Sequence, residues 1–274
     1  MDTKISVVIA TLGTNAKIER AIKSVMNQTH QNLEIVLVVD KVPKLDFLNE
    51  GEKAKISIVA QRESGIYPNF NLGIEYSTGH FISILNDDDW YEQNFLETSV
   101  RLINDANVHG TYCDSLIYRP NEVVTRVRAK DDLSSGLLFD FIGAYHTTFL
   151  IQKSVFEIVG PFRTDPIDGM KILYANDYEW FIRAIFQGMI FARNPFCTGN
   201  FSIGGASTVN RITLIREARL IAIGFANSSF ERTYLTFHWT NRLVWNQVKI
   251  AISAIAKVGS SYMKRILRND ALGC

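Results

Sequence analysis

Three consecutive carboxylates, Asp87, Asp88 and Asp89, follow directly on the apolar run His80–Leu85 (HFISIL) and Asn86. Adjacent carboxylates repel one another unless a cation or solvent intervenes. Their hard oxygens suit Mg2+ or Mn2+, ions that bridge a protein carboxylate and the phosphates of a substrate. Taken alone, the run reads equally well as a solvated acidic loop, with Asp89 placed to cap the next helix. A separate carboxylate, Asp177, opens the segment Asp177-Tyr178-Glu179 just before a helical pattern. It suits a general base; as an isolated feature it suits a helix cap better still. His146, in Tyr145-His146-Thr147-Thr148, precedes a strand pattern and could be a site residue, though a lone histidine is more often structural. Trp90 offers a face for a sugar or plain core burial. Gly204-Gly205 ahead of Ser207 reads as an active-site loop or a simple turn.

The elements that must position these groups are visible as periodicity. Ile5–Ala10 (ISVVIA) and Leu33–Val39 (LEIVLVV) are continuous apolar runs, expected of strands covered on both faces. Between them Ile18, Ala21, Ile22, Val25 and Met26 fall on one helical face, with Thr14 or Asn15 as the expected cap. Ile56–Ala60 is a third strand, 68–77 a helix with Pro68 in its first turn, and 80–85 the strand that delivers the acidic run. A helix over 92–104 and a strand over 109–113 follow. This alternation predicts an α/β sheet with helices on both faces, and such sheets bind ligands at the carboxyl ends of their strands. Beyond Asp114 the spacing predicts a hairpin (116–118 and 123–127, with Pro120-Asn121 between), a strand at 147–151, helices at 153–159 and 178–187, and an extended run at 191–201.

Composition bounds the function. The chain has 274 residues, of which 47% are hydrophobic and 21% charged, so it can fold around a sizeable core. Three widely spaced cysteines, Cys113, Cys197 and Cys274, disfavour a disulfide framework or a zinc site and fit a reducing cytoplasm. The apolar run near the N-terminus is too short for a secretory core, and none reaches the roughly 18 residues of a membrane span. Net charge is +1, but residues 1–205 carry 19 Lys+Arg against 25 Asp+Glu, and residues 206–274 carry 10 against 3. From Trp245 the tail reads as a basic amphipathic helix, or two joined near Gly259-Ser260. Such a stripe suits peripheral contact with an anionic membrane, and equally suits packing on the body. An acidic body without interleaved aromatic and basic residues argues against nucleic acid.

The opening Ser6-Val7-Val8-Ile9-Ala10-Thr11, the segment Ala21–Thr29 (AIKSVMNQT), Leu33-Glu34-Ile35, the segment Ser64–Ile74 (SGIYPNFNLGI), Thr78-Gly79-His80-Phe81-Ile82 and Leu85–Asp89, with Asn176–Glu179 and Arg183 later, resemble family-2 glycosyltransferases in kind and order. The resemblance covers roughly residues 4–207. It implies a GT-A type fold, a mixed and mainly parallel sheet flanked by helices, in a domain spanning 1–207. The nucleotide-sugar half would be 1–115, the acceptor half 116–207, and 208–274 a basic helical extension. It also implies inverting transfer of a sugar from a nucleoside-diphosphate donor to a glycan or lipid-linked acceptor, at the cytoplasmic side. Thr11 and Asp40 would lie near the nucleotide, with Asn71, Asp87 and His146 in the same donor-binding set. Asp88 and Asp89 would hold the divalent metal, and Asp177 would be the base. Glu63 reads as a contact to the nucleotide base or as a solvated loop charge. Asn86 stands where the metal motif usually has its first acid, Pro68 replaces an acid that often follows Gly-Ile-Tyr, and Leu12-Gly13 follows Thr11 where relatives often read Tyr-Asn.

Inverting transfer needs one carboxylate set for the metal and another carboxylate for the acceptor proton. Two other readings compete: a nucleotidyltransferase, disfavoured because no glycine-rich basic activation loop lies near the N-terminus, and a non-catalytic nucleotide-sugar or glycan-binding protein, disfavoured by the presence of both Asp88 and Asp177.

Overall fold

The structure is a computed structural model that describes residues 3–13, 17–119, 123–203 and 210–270, with side chains described as far as Ile252. The N-terminal half alternates strands β1 (Ile5–Thr11), β2 (Leu33–Val39), β3 (Ile56–Ala60) and β4 (Phe81–Asn86) with helices α1 (Ile18–Met26), α2 (Glu50–Lys53) and α3 (Ile66–Tyr76). All seven residues of β2 are buried, as a strand covered on both faces requires. The five apolar residues of α1 are the five it buries. Its N-cap is Lys17, without a side-chain cap hydrogen bond, and the expected cap residues Thr14 and Asn15 lie outside the described residues. Helix α3 lies so close to β1 that a Cβ on Gly73 would come within 2.2 Å of Val8 Cγ1.

The second half contains β5 (Trp90–Tyr91), α4 (Phe95–Ala106), β6 (Gly110–Tyr118), β7 (Thr125–Val127), β8 (Leu150–Gln152), α5 (Lys153–Val159), α6 (Asn176–Phe186) and β9 (Phe191–Ser202). One sheet runs in the order β3-β2-β1-β4-β8-β6-β9-β5, with β7 beside β6. Strands β1 to β4 are parallel, β8 is antiparallel to both its neighbours, and β9 is parallel to β6 and antiparallel to β5. The register pairs Ala10 with Asn86 and Thr11 with Val39, which brings Thr11, Asp40 and the acidic run to one edge. The expected hairpin is the β6–β7 pair, and its turn at 120–121 lies outside the described residues. Helix α4 starts later than its pattern implied, because Trp90-Tyr91 pairs with β9. The strand expected from Thr147 is shortened to β8 by a 3-10 turn at His146–Thr148.

The C-terminal extension is helical, as expected, and packs on the body. Helices α7 (Arg211–Gly224) and α8 (Ser229–Asp270) follow β9, and α8 runs as unbroken helical backbone through Gly259-Ser260. Ile215, Ala218, Ile221 and Ala222 of α7, with Leu235 and Trp239 of α8, belong to the same buried cluster as Phe149, Tyr178 and Phe181. Trp239 Nε1 donates to the Leu138 carbonyl at 2.8 Å, and Arg242 pairs with Asp140 at 2.6 Å. The core therefore continues past residue 207. Among the described residues, no helix is long and apolar enough to cross a membrane.

Candidate active site

The carboxyl edge of β1 and β4 holds the acidic run. Thr11 Oγ1 donates to Asp87 Oδ2 at 2.7 Å and accepts the Gly13 N–H at 3.0 Å, so the end of β1 fixes the first aspartate. Asp88 keeps a partly exposed carboxylate, 3.8 Å from Lys17 Nζ. Burial pushes it up, Lys17 opposes this, and Asp87 adds to the rise. Arg20 of α1 donates to the Asp88 carbonyl (2.8 Å) and to Ser202 Oγ (3.1 Å), while its guanidinium lies 3.5 Å from the centre of the Trp90 ring. The other ring partner of Trp90 is Tyr118, with centroids 4.5 Å apart. Trp90 is thus engaged by protein groups.

Asp89 occupies a different environment. It is 1% exposed, its Oδ1 accepts the Ser202 N–H at 2.8 Å and its Oδ2 accepts Asn86 Nδ2 at 2.9 Å. Burial pushes its carboxyl up to about 7, opposed by the Ser202 N–H and helped by the charge of Asp88. A buried carboxylate with both oxygens held by donors ties β9 to the acidic loop, and of the two expected metal ligands Asp88 is the one with a partly exposed side chain.

Across the loop stands Asp177. It lies inside the first turn of α6, whose cap residue is Ala175, so it is not the cap its sequence position allowed. Its Oδ1 accepts the Tyr178 N–H at 2.8 Å, and its Oδ2 faces His146 Nδ1 at 3.2 Å. The other ring nitrogen of His146 meets Asn86 Oδ1 at 3.2 Å. The structure thereby joins Asp177, His146 and Asn86 to the strand end that carries Asp87 and Asp88. The buried Tyr67 donates to the Tyr174 carbonyl just ahead of α6; burial pushes its phenol well up, and the nearby charge of Asp177 adds to this.

Behind α6 lies a group the sequence reading did not assign. Glu217 of α7 is fully buried and accepts the N–H groups of Leu173 (3.0 Å), Tyr174 (2.8 Å) and Ala175 (3.0 Å). Burial raises its carboxyl, and these three donors pull it back. Its signal was an acid among the core-facing positions Ile215, Ala218, Ile221 and Ala222.

The remaining expected residues fall elsewhere. Asp40 is exposed at the end of β2, its N–H on the Thr11 carbonyl and its carboxylate accepting from Gln61 Nε2 at 2.8 Å. The Asn71 amide is committed to the backbone of Phe162, donating to its carbonyl at 2.8 Å and accepting its N–H at 2.9 Å. Asn71 thereby ties α3 to the loop after α5. Glu63 is exposed, and it and Asn71 line a separate hollow of about 420 Å3 with Arg62, Glu75 and Pro161. Gly204-Gly205 lies outside the described residues.

Among the described residues, no group of three or more His, Cys, Asp or Glu side chains converges to hold a metal unaided. The donor set still fits Mg2+ or Mn2+, which take one or two carboxylates and complete their shell with water and substrate phosphate. Asp88, hard and partly exposed beside Asp87, meets that requirement.

Comparison with known proteins bears on the family and the fold. Over 105 residues the chain is 30% identical to a putative glycosyltransferase, EpsH, of Bacillus subtilis, covering 37% of this chain and 30% of that protein. Over 166 residues it is 28% identical to a GalNAc(5)-diNAcBac-PP-undecaprenol beta-1,3-glucosyltransferase of Campylobacter jejuni, covering 55% and 54%. The chain thus spans less than two thirds of the length of these curated relatives. S. aureus TarS 1-349 in complex with UDP-GlcNAc superposes with a TM-score of 0.62 at 15% identity, covering 87% of this chain and 72% of that one. The mannosyltransferase PcManGT from Pyrobaculum calidifontis, in complex with GDP-Man and Mn2+, gives 0.57 at 14% identity, covering 94% and 80%. Likeness at such low identity shows the fold, which is of GT-A type. The glycosyl transferase family 2 model matches residues 6–164, more than half of the sequence, and the chain belongs to that family.

Proposed function

We propose that the protein transfers a sugar, with inversion, from a nucleoside-diphosphate sugar to a glycan or lipid-linked acceptor. The observation that carries this reading is the division of carboxylates at one sheet edge. Asp88 is partly exposed beside Asp87, while Asp177 is held separately on α6 through His146. Asp177 would accept the proton of the acceptor hydroxyl as its oxygen bonds to the anomeric carbon and the bond to the diphosphate breaks. Asp88 would hold a divalent cation, whose charge stabilises the departing diphosphate. Thr11, through Asp87, and Asp40 would border the nucleotide. The neighbours that carry UDP-GlcNAc, or GDP-Man with Mn2+, support both expectations. A panel of UDP- and GDP-sugars with Mn2+ or Mg2+ tests the reading: at least one should raise the melting temperature and be turned over only with metal. No response to any donor would overturn it.

The undecaprenol-linked name of the Campylobacter relative supports a lipid-linked acceptor. Peripheral contact with the cytoplasmic membrane face then falls to α8. On its outer side Phe230, Tyr234, Phe237, Trp245, Val248 and Ile252 are exposed along one helical face, in a C-terminal region with an excess of basic residues. Cutting the helix away would remove Trp239 from the core, so Phe237→Ser with Trp245→Ser is the cleaner probe. Equal recovery of wild type and this variant on phosphatidylglycerol vesicles would contradict the contact.

A further inference from the structure

Asn86 takes the place where an acid is usual in the metal motif, and the hydrogen bonds around it give the substitution a purpose. Its Nδ2 donates to the buried Asp89 Oδ2, so its Oδ1 is the group that faces His146 Nε2 at 3.2 Å. An amide oxygen only accepts, so Nε2 carries a hydrogen. The other ring nitrogen, Nδ1, lies 3.2 Å from Asp177 Oδ2, a close polar contact that sets the ring against that carboxylate. The ring is further held by Phe70, whose centroid lies 5.8 Å away. An amide is the side chain of this length that can both donate to Asp89 and accept from His146. An aspartate at position 86 would instead oppose Asp89, a buried carboxylate about 3 Å away.

We infer that Asn86 and His146 are positioning residues: through the hydrogen bonds Asp89–Asn86–His146 and the close contact of His146 with Asp177, the strand end that carries the metal-binding loop sets the orientation of the carboxylate that accepts the proton. The inference rests on reading Asp177 as the base. It assigns Asn86 to the proton-accepting side of the site, and it makes the acid expected there harmful.

Two measurements test it. In 15N-edited NMR spectra, His146 (identified by loss of its signals in His146→Ala) should show a slowly exchanging hydrogen on Nε2. Asn86→Ala should release it; unchanged exchange in that variant, or no slowly exchanging Nε2 hydrogen in the wild type, would overturn the chain. This readout does not depend on any donor, so it stands even if no nucleotide sugar is turned over and the proposed function falls. With a donor from the panel, Asn86→Ala and His146→Ala should each lower kcat on the order of 10- to 100-fold, with donor KM within about 3-fold. The double variant should be no worse than the weaker single variant, since both break one chain. Multiplicative losses would overturn the inference. So would an Asn86→Asp variant with wild-type kcat, and melting curves of each variant separate misfolding from misplacement.

Discussion

Glu217 offers a prediction whose magnitude follows from the structure. Its carboxylate, with no exposed surface, is the acceptor for three consecutive backbone N–H groups just ahead of α6. Each hydrogen bond to a charged acceptor contributes about 1.5–3 kcal/mol, and each buried donor left without a partner costs about 1–3 kcal/mol. Against this stands the cost of burying the carboxylate, which raises its pKa. Glu217→Ala should therefore destabilise by about 3–5 kcal/mol once relief of that burial and entry of water are allowed for. Glu217→Gln keeps an acceptor where Oε2 receives two N–H groups, and sets an amide donor against the Leu173 N–H; about 2 kcal/mol is expected. At about 2–4 °C per kcal/mol for a chain of this size, Glu217→Ala should lower the melting temperature by roughly 6–20 °C. The assay is urea denaturation with hydrogen exchange at Leu173, Tyr174 and Ala175, whose amides should exchange much faster in both variants. A loss under about 1 kcal/mol with unchanged exchange would refute the claim that α7 holds the approach to Asp177.

Other consequences are equally concrete. Gly73→Ala sets a Cβ against Val8 Cγ1 and should cost about 1–3 kcal/mol, partly restored by Val8→Ala, as read by thermal denaturation. Glu34 is a pH sensor of stability. Burial works to raise its carboxyl, but the Lys4, Ser6 and Thr78 donors outweigh it and bring it to about 2, against an ordinary 4.5. Its contribution is complete above pH 4.5 and fades as pH falls toward 2, so Glu34→Gln should flatten that part of the stability profile. Asp88→Asn should weaken the Mn2+ dependence of turnover with little change in stability. Asp89→Asn should instead lower stability by about 1–2 kcal/mol, because its new amide meets the amide of Asn86. A stable Asp89→Asn with metal affinity reduced would reverse the two roles.

Much of the scaffold was legible because its signals are local. The runs ISVVIA and LEIVLVV and the 3-and-4 spacing of α1 each specify an element and its buried face. What escaped depends on tertiary contacts. Asp88 and Asp89 are neighbours in sequence, yet one is partly exposed beside Lys17 and the other is sealed under β9, which joins the site from more than a hundred residues away. Asn71 sits in a matched segment, but its amide is spent on a loop 91 residues later. Helix α7 was expected only as part of the helical extension 208–274; Arg211, Arg216 and Arg219 interrupt its apolar spacing and hide its buried face, and so Glu217 went unremarked. The tail was divided from the body by a change of charge, while packing of Trp239 and Leu235 joins them.

The central claim is that Asp177 accepts the acceptor's proton while a separate carboxylate serves the metal. Nucleoside-diphosphate release by Asp177→Asn, measured at saturating donor and Mn2+ beside a binding titration of the same donor, tests it most directly. Donor affinity and melting temperature should stay close to wild type while kcat falls by about 100-fold or more. Near-normal turnover in a folded, donor-binding Asp177→Asn protein would contradict it.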